Sequence, residues 1–92
     1  MTILLENVTT TTTVSMKSRP FPSQIAPTFV VEIAGGAATV NLYQSNHRDE
    51  SFPVGAIIER GVYEGAGVCT FIGADVSEIS GGAVVTVTVA DN

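Results

Sequence analysis

The sequence predicts a small all-β domain, an antiparallel β-sandwich of the Ig-like or jelly-roll-like kind with an extended N-terminal arm. Three observations predict it. Short Val-, Ile- and Thr-rich runs alternate with turn residues throughout residues 29–90, the pattern of half-buried strands. The last run, Gly82-Ala83-Val84-Val85-Thr86-Val87-Thr88-Val89-Ala90, sets Val85, Val87 and Val89 on one face and Val84, Thr86 and Thr88 on the other, because successive strand side chains point to opposite sides. The first face is apolar and packs on a second sheet, while the half-wettable other face meets water or a partner. No stretch has helical periodicity.

The arm comes first. Residues 1–27 combine the apolar run Ile3-Leu4-Leu5, five consecutive threonines at residues 9–13, and Lys17-Ser18-Arg19-Pro20-Phe21-Pro22-Ser23-Gln24-Ile25-Ala26-Pro27. The three prolines bar helix and impose extended backbone around them. The stretch is therefore expected to be an extended connector. Its earlier part, rich in β-branched residues, is able to add a strand to its own sheet or to a neighbour's. Ile3, Leu4, Leu5, Lys17, Arg19, Pro20, Phe21 and Pro22 join cations to apolar anchors on such backbone, and they are the expected protein-interface residues.

The body spans residues 28–92. Thr28-Phe29-Val30-Val31-Glu32-Ile33-Ala34 and Ala37-Ala38-Thr39-Val40-Asn41-Leu42-Tyr43-Gln44-Ser45 flank Gly35-Gly36, a pair expected to be a tight hairpin turn because both positions take positive φ without steric cost. The loop Asn46-His47-Arg48-Asp49-Glu50-Ser51 is the most charged point of the chain. Phe52-Pro53 closes it ahead of the strand run Val54-Gly55-Ala56-Ile57-Ile58. Glycines bracket a short strand within residues 61–67, residues 68–76 form the next, and Gly81-Gly82 leads into the last. Six or seven body strands recur at spacings of about 8 to 12 residues, the rhythm of a sandwich.

Composition narrows the function. With 92 residues, 45% of them hydrophobic, the chain is one folded domain. A domain of this size buries only about 60% of the surface its unfolded chain exposes, so oligomerisation or docking is expected to help stabilise it. The net charge of −5 argues against nucleic acid as a partner. Lys17 and Arg19 against Glu6 leave the arm at +1, whereas Arg48 and Arg60 against eight acids leave the body at −6. The arm is thus suited to an acidic neighbour. The first residues lack a basic n-region and carry too short an apolar run for a signal peptide or membrane span, so synthesis in a cytoplasm and no membrane partner are expected.

Catalytic, cofactor-binding and metal-binding residues are not expected. His47 stands beside Arg48, Asp49 and Glu50, yet adjacent residues project in divergent directions, nothing marks a nucleophile or an orienting partner, and the spacing does not match a calcium loop. The glycines of residues 61–67 precede neither a helix nor a Lys-Ser/Thr pair, so they form turns and not a phosphate loop. Cys69 is the single cysteine. It excludes an intramolecular disulfide and belongs in a strand as a small apolar residue.

The succession Thr39-Val40-Asn41-Leu42-Tyr43-Gln44-Ser45-Asn46, a polar loop ending in Phe52, Gly61-Val62-Tyr63, Phe71-Ile72-Gly73-Ala74-Asp75-Val76 and a closing Gly81-Gly82-Ala83-Val84-Val85-Thr86-Val87-Thr88-Val89 resembles the small β-sandwich virion proteins of tailed bacteriophages over residues 29–89. In that family the polar loop commonly reads Ser-Asn-Asp-Gly, and an Arg often stands where this chain has Gly73. The resemblance implies a capsid decoration (cement) protein on the virion surface, made in the host cytoplasm, whose partner is the major capsid protein and whose favoured oligomer is a trimer at local three-fold positions. A neck, tail or fibre component of the same virion would use the same sandwich. A carbohydrate-binding module would need Tyr43, Phe52 and Tyr63 grouped on one face.

Overall fold

The computed structural model describes residues 2–19, 26–47, 49–67 and 69–90. They form β1 (Thr2–Val8), β2 (Lys17–Ser18), β3 (Thr28–Ala34), β4 (Ala37–Ser45), β5 (Phe52–Ile57), β6 (Gly61–Glu64), β7 (Phe71–Ser80) and β8 (Val84–Val89). Two four-stranded antiparallel sheets result, ordered β1-β8-β3-β6 and β2-β7-β4-β5. The expected all-β sandwich is the observed fold. Val85, Val87 and Val89 are all fully buried, and Val84, Thr86 and Thr88 alternate with them on the outer side. They meet Phe29, Val31 and Leu4 of their own sheet and Val40, Leu42, Ile72, Ala74 and Val76 of the other in one core.

Strand connectivity differs from the expectation at Gly35-Gly36. β3 pairs with β6 and β8, and β4 pairs with β5 and β7, so the two glycines carry the chain from one sheet to the other instead of closing a hairpin. Of the connections between consecutive strands, only that between β4 and β5 stays within a sheet. Gly81-Gly82 makes the return crossing from β7 to β8, and the two crossings pack together. Gly35, Gly81 and Gly82 have φ of 83°, 68° and 76°, a region open to glycine and costly for most side chains. Gly36 is required for another reason: a Cβ there would run into the Ser80 carbonyl and approach the Gly81 oxygen to 2.7 Å and the Ala83 nitrogen to 2.8 Å. These are backbone atoms held by β7 and β8. Gly36→Ala is therefore expected to cost about 2–3 kcal/mol through overpacking, read as a lower urea midpoint; an unchanged midpoint would mean that the crossings do not constrain each other.

The N-terminal segment is built into the sandwich and does not stand apart from it. β1 lies along β8, with Thr2 opposite Val89, Ile3 opposite Thr88, Leu5 opposite Val87 and Val8 opposite Val85. Leu4 enters the core, and Leu5 and Val8 pack against it. Two register shifts adjust the strand; at the second, Asn7 takes φ 49° and its N–H donates to Thr86 Oγ1 at 3.1 Å, a conformation Asn tolerates better than most residues. The chain then crosses to β7. Thr12 N–H donates to the Val76 carbonyl at 3.0 Å and its Oγ1 accepts from Val76 N–H at 3.1 Å. Lys17 and Ser18 pair with Ile72 and Phe71. The physical reason is coverage: without β1, β8 would be an open edge whose buried valines face water from the side. Proline content made the segment read as an arm. Pro20, Phe21 and Pro22 lie outside the described residues.

Candidate protein interface

Sheet β1-β8-β3-β6 presents a bare outer face. Ile3 lies opposite Thr88, Thr88 opposite Val30, and Val30 opposite Val62, so one residue from each strand forms a continuous row across the sheet. Its ends are open: Ile3 is 43% and Val62 66% exposed. Glu32 faces Thr86 in the row on one side, and Glu64 faces Thr28 in the row on the other. The row is apolar except at Thr88, its middle is half-buried and its two ends are exposed, and apolar side chains left in water gain free energy when they are covered.

The opposite sheet is dressed differently. On its outer side Asn41 Nδ2 donates to Asp75 Oδ1 at 2.7 Å and Tyr43 OH donates to Asp75 Oδ2 at 2.9 Å, joining β4 and β7 through side chains that sit directly or diagonally opposite. Burial raises the Tyr43 pKa above its usual value, and the hydrogen bond to Asp75 and its negative charge push in the same direction. The Asp75 carboxylate is thus engaged by two donors from the chain itself. Beside this cluster the N-terminal segment covers Gly73, where a Cβ would meet Met16 Sδ at 2.6 Å and Val14 Cγ2 at 3.0 Å. A side chain at position 73 would have to displace Met16 and press on Val14 and on the Ser15 carbonyl at 3.2 Å.

The interface residues expected from the sequence are distributed as follows. Ile3 is on the bare face, and Lys17, exposed on β2, donates from Nζ to the Ile3 carbonyl at 2.7 Å, bringing these two together where the sheet edges meet. Leu4 is core and Leu5 packs on it. Arg19 is 3% exposed; its N–H donates to the Thr70 carbonyl at 2.9 Å and Nη1 to the Cys69 carbonyl at 3.2 Å. Leu4 and Arg19 are thus spent inside the fold. Val30 and Val62 were missed. Their sequence signal is the alternation within their own strands, but the row exists only through the register of four strands.

The remaining polar groups have local structural roles. Ser45 Oγ donates to the His47 carbonyl at 2.8 Å and accepts from His47 N–H at 2.9 Å, a side-chain turn that starts the charged loop. Buried Gln44 clamps the loop after β6: Oε1 accepts from Ala66 N–H at 2.6 Å, and Nε2 donates to the Ala66 and Gly67 carbonyls at 3.1 and 3.2 Å. Gly65 N–H donates to the Pro27 carbonyl at 2.8 Å. The Gly65 and Ala66 amides that a phosphate loop would offer are turned inward. No group of three or more His, Cys, Asp or Glu side chains gathers among the described residues, and no helix there is long and apolar enough to cross a membrane.

Cys69 is buried, and only its backbone oxygen makes the Arg19 contact. Cys69→Ala is therefore expected to cost about 1 kcal/mol, the loss of a small buried group, read as a slightly lower urea midpoint. A loss of several kcal/mol would show that the thiol does more than fill space.

Tyr43, Phe52 and Tyr63 do not share a face. Tyr43 is on the outer side of one sheet, and Tyr63 packs against the core from the other with its hydroxyl donating to the Glu59 carbonyl at 2.6 Å. Phe52 stands exposed at the start of β5. Comparison of the chain with protein-family models, curated proteins and solved structures found no match.

Proposed function

We propose that this protein is a structural component of a tailed-phage virion that binds the outside of the capsid and stabilises it. The observation that carries the proposal is the outer row Ile3, Thr88, Val30 and Val62, mostly apolar across the sheet and exposed at both ends. Its support from sequence is the resemblance over residues 29–89. A ligand that binds assembled subunits and not dissociated ones stabilises the shell by mass action, and a rigid sandwich face needs little ordering on docking. The partner is the major capsid protein, and three copies around a local three-fold position are the arrangement that the resemblance implies.

A sugar-binding role has less support because its aromatics are dispersed over the molecule. A neck or tail position uses the same surface and differs in copy number. The direct test is co-sedimentation of the purified protein with source particles that lack it. Saturable binding with a rise in the temperature at which heads release DNA supports the proposal; protein left in the supernatant at saturating concentration refutes it.

A further inference from the structure

The four sheet edges are not equivalent. β1 carries two register shifts and Asn7 at φ 49°. β2 is two residues long. β5 contains Pro53, and a register shift lies between its pairs with Leu42 and Tyr43. Bulges, prolines and very short strands are the devices by which proteins make an edge unfit for further pairing. The β6 edge has no bulge and no proline, and with four residues it leaves part of β3 uncovered. β6 covers Thr28, Phe29, Val30 and Val31 of β3, whereas Glu32, Ile33 and Ala34 pair with Thr86, Val85 and Val84 on the β8 side alone.

The step left beside β3 is a groove of about 460 Å³ bordered by Glu32, Ile33 and Ala34 and by Arg60, Gly61 and Val62. Ala90 N–H donates to the Thr28 carbonyl at 3.0 Å, so alternation along β3 turns the backbone groups of Glu32 and Ala34 toward β8 and leaves the N–H and C=O of Ile33 directed into the step, beside an apolar lining. An extended peptide satisfies both at once, which neither a flat protein surface nor a small molecule does. The groove carries one charge of each sign, Glu32 on β3 and Arg60 where the chain enters β6. Ile33, only partly buried against the core, is left for an apolar neighbour to cover.

We propose that an extended segment of the shell protein enters this step as an added strand beside Glu32, Ile33 and Ala34, placing a cationic side chain next to Glu32, an apolar one next to Ile33 and an anionic one next to Arg60. The proposal rests on the capsid reading and specifies how the shell is gripped: strand addition fixes orientation through the backbone, and the outer row Ile3 to Val62 packs against the shell surface from which the segment rises.

Hydrogen–deuterium exchange of the free and the particle-bound protein, read by mass spectrometry, tests it. The expected result is that the Ile33 amide, which the pairing with β8 leaves directed into the step, exchanges at least about tenfold more slowly on the particle, and that Glu32→Lys, a change at an exposed side chain, lowers occupancy about tenfold at limiting concentration and less so in high salt. Wild-type protein that sediments with particles while the Ile33 amide exchanges as in the free protein overturns strand addition and leaves the capsid reading standing. Wild-type protein that does not sediment overturns the capsid reading, and the added strand with it. Protection of the Ile33 amide in the free protein that grows with its concentration, together with self-association in the ultracentrifuge, assigns the edge to a second copy and overturns the proposal.

Discussion

Val87→Asp is expected to abolish the native fold. Val87 is fully buried, its Cα partners on the flanking strands are Leu5 and Val31, and its side chain faces the apolar layer of the opposite sheet. An unpaired carboxylate there costs several kcal/mol or titrates to its neutral form at a comparable cost, against a total stability of about 5–15 kcal/mol for a domain. Far-UV circular dichroism should lose its β signature and thermal denaturation its cooperative step. The informative control is one residue away. Thr88→Asp places the same group on the outer face, and because a strand alternates strictly, that variant should keep a cooperative transition. If both variants fold, the buried face of β8 is assigned wrongly.

Deletion of residues 1–19 carries the second large effect. It removes the β1 partner of β8, the Leu4 side chain from the core, the Thr12 groups that engage both backbone atoms of Val76, and the Arg19 hydrogen bonds to Thr70 and Cys69. Loss of one buried leucine alone costs about 2–5 kcal/mol, and freeing the β8 edge exposes a Val-Thr strand that invites intermolecular pairing. The truncated chain should melt more than about 10 °C lower or aggregate on expression, as scored by calorimetry and size-exclusion chromatography. A truncated protein that stays monomeric with an unaltered melting temperature would show that the segment is an appendage after all.

Much of the fold was legible because strand alternation is a local signal. The burial of Val85, Val87 and Val89 follows from period 2 alone, as does that of Val40 and Leu42. Sheet membership was not legible. Gly35-Gly36 satisfies the backbone needs of a hairpin and of a crossing equally, and what selects the crossing is the second glycine pair more than 40 residues away, packed against it. The N-terminal strand hides for the same reason. Thr2 finds its partner at Val89, and nothing in Ile3-Leu4-Leu5 announces that the vacancy it fills is beside β8.

At the candidate interface the limits are similar. Ile3 was recognisable as an apolar residue on β-prone backbone, and the outer side of the last strand as a surface for water or a partner. Leu4 and Arg19 look from sequence like equally good anchors, but one points into the core and the other is drawn inside by the Thr70 and Cys69 carbonyls. Val30 and Val62 gain their meaning only when register sets them opposite each other. An interaction row that runs across strands has no contiguous signature along the chain.

A cryo-electron reconstruction of the source particle decides whether this sandwich coats a phage head. Density matching a body of 38 × 24 × 18 Å is expected on the outer surface of the head, in on the order of hundreds of copies around local three-fold positions, with the sheet β1-β8-β3-β6 turned toward the shell. Density confined to the neck or tail in about a dozen copies, or heads with no such density at all, would contradict that placement.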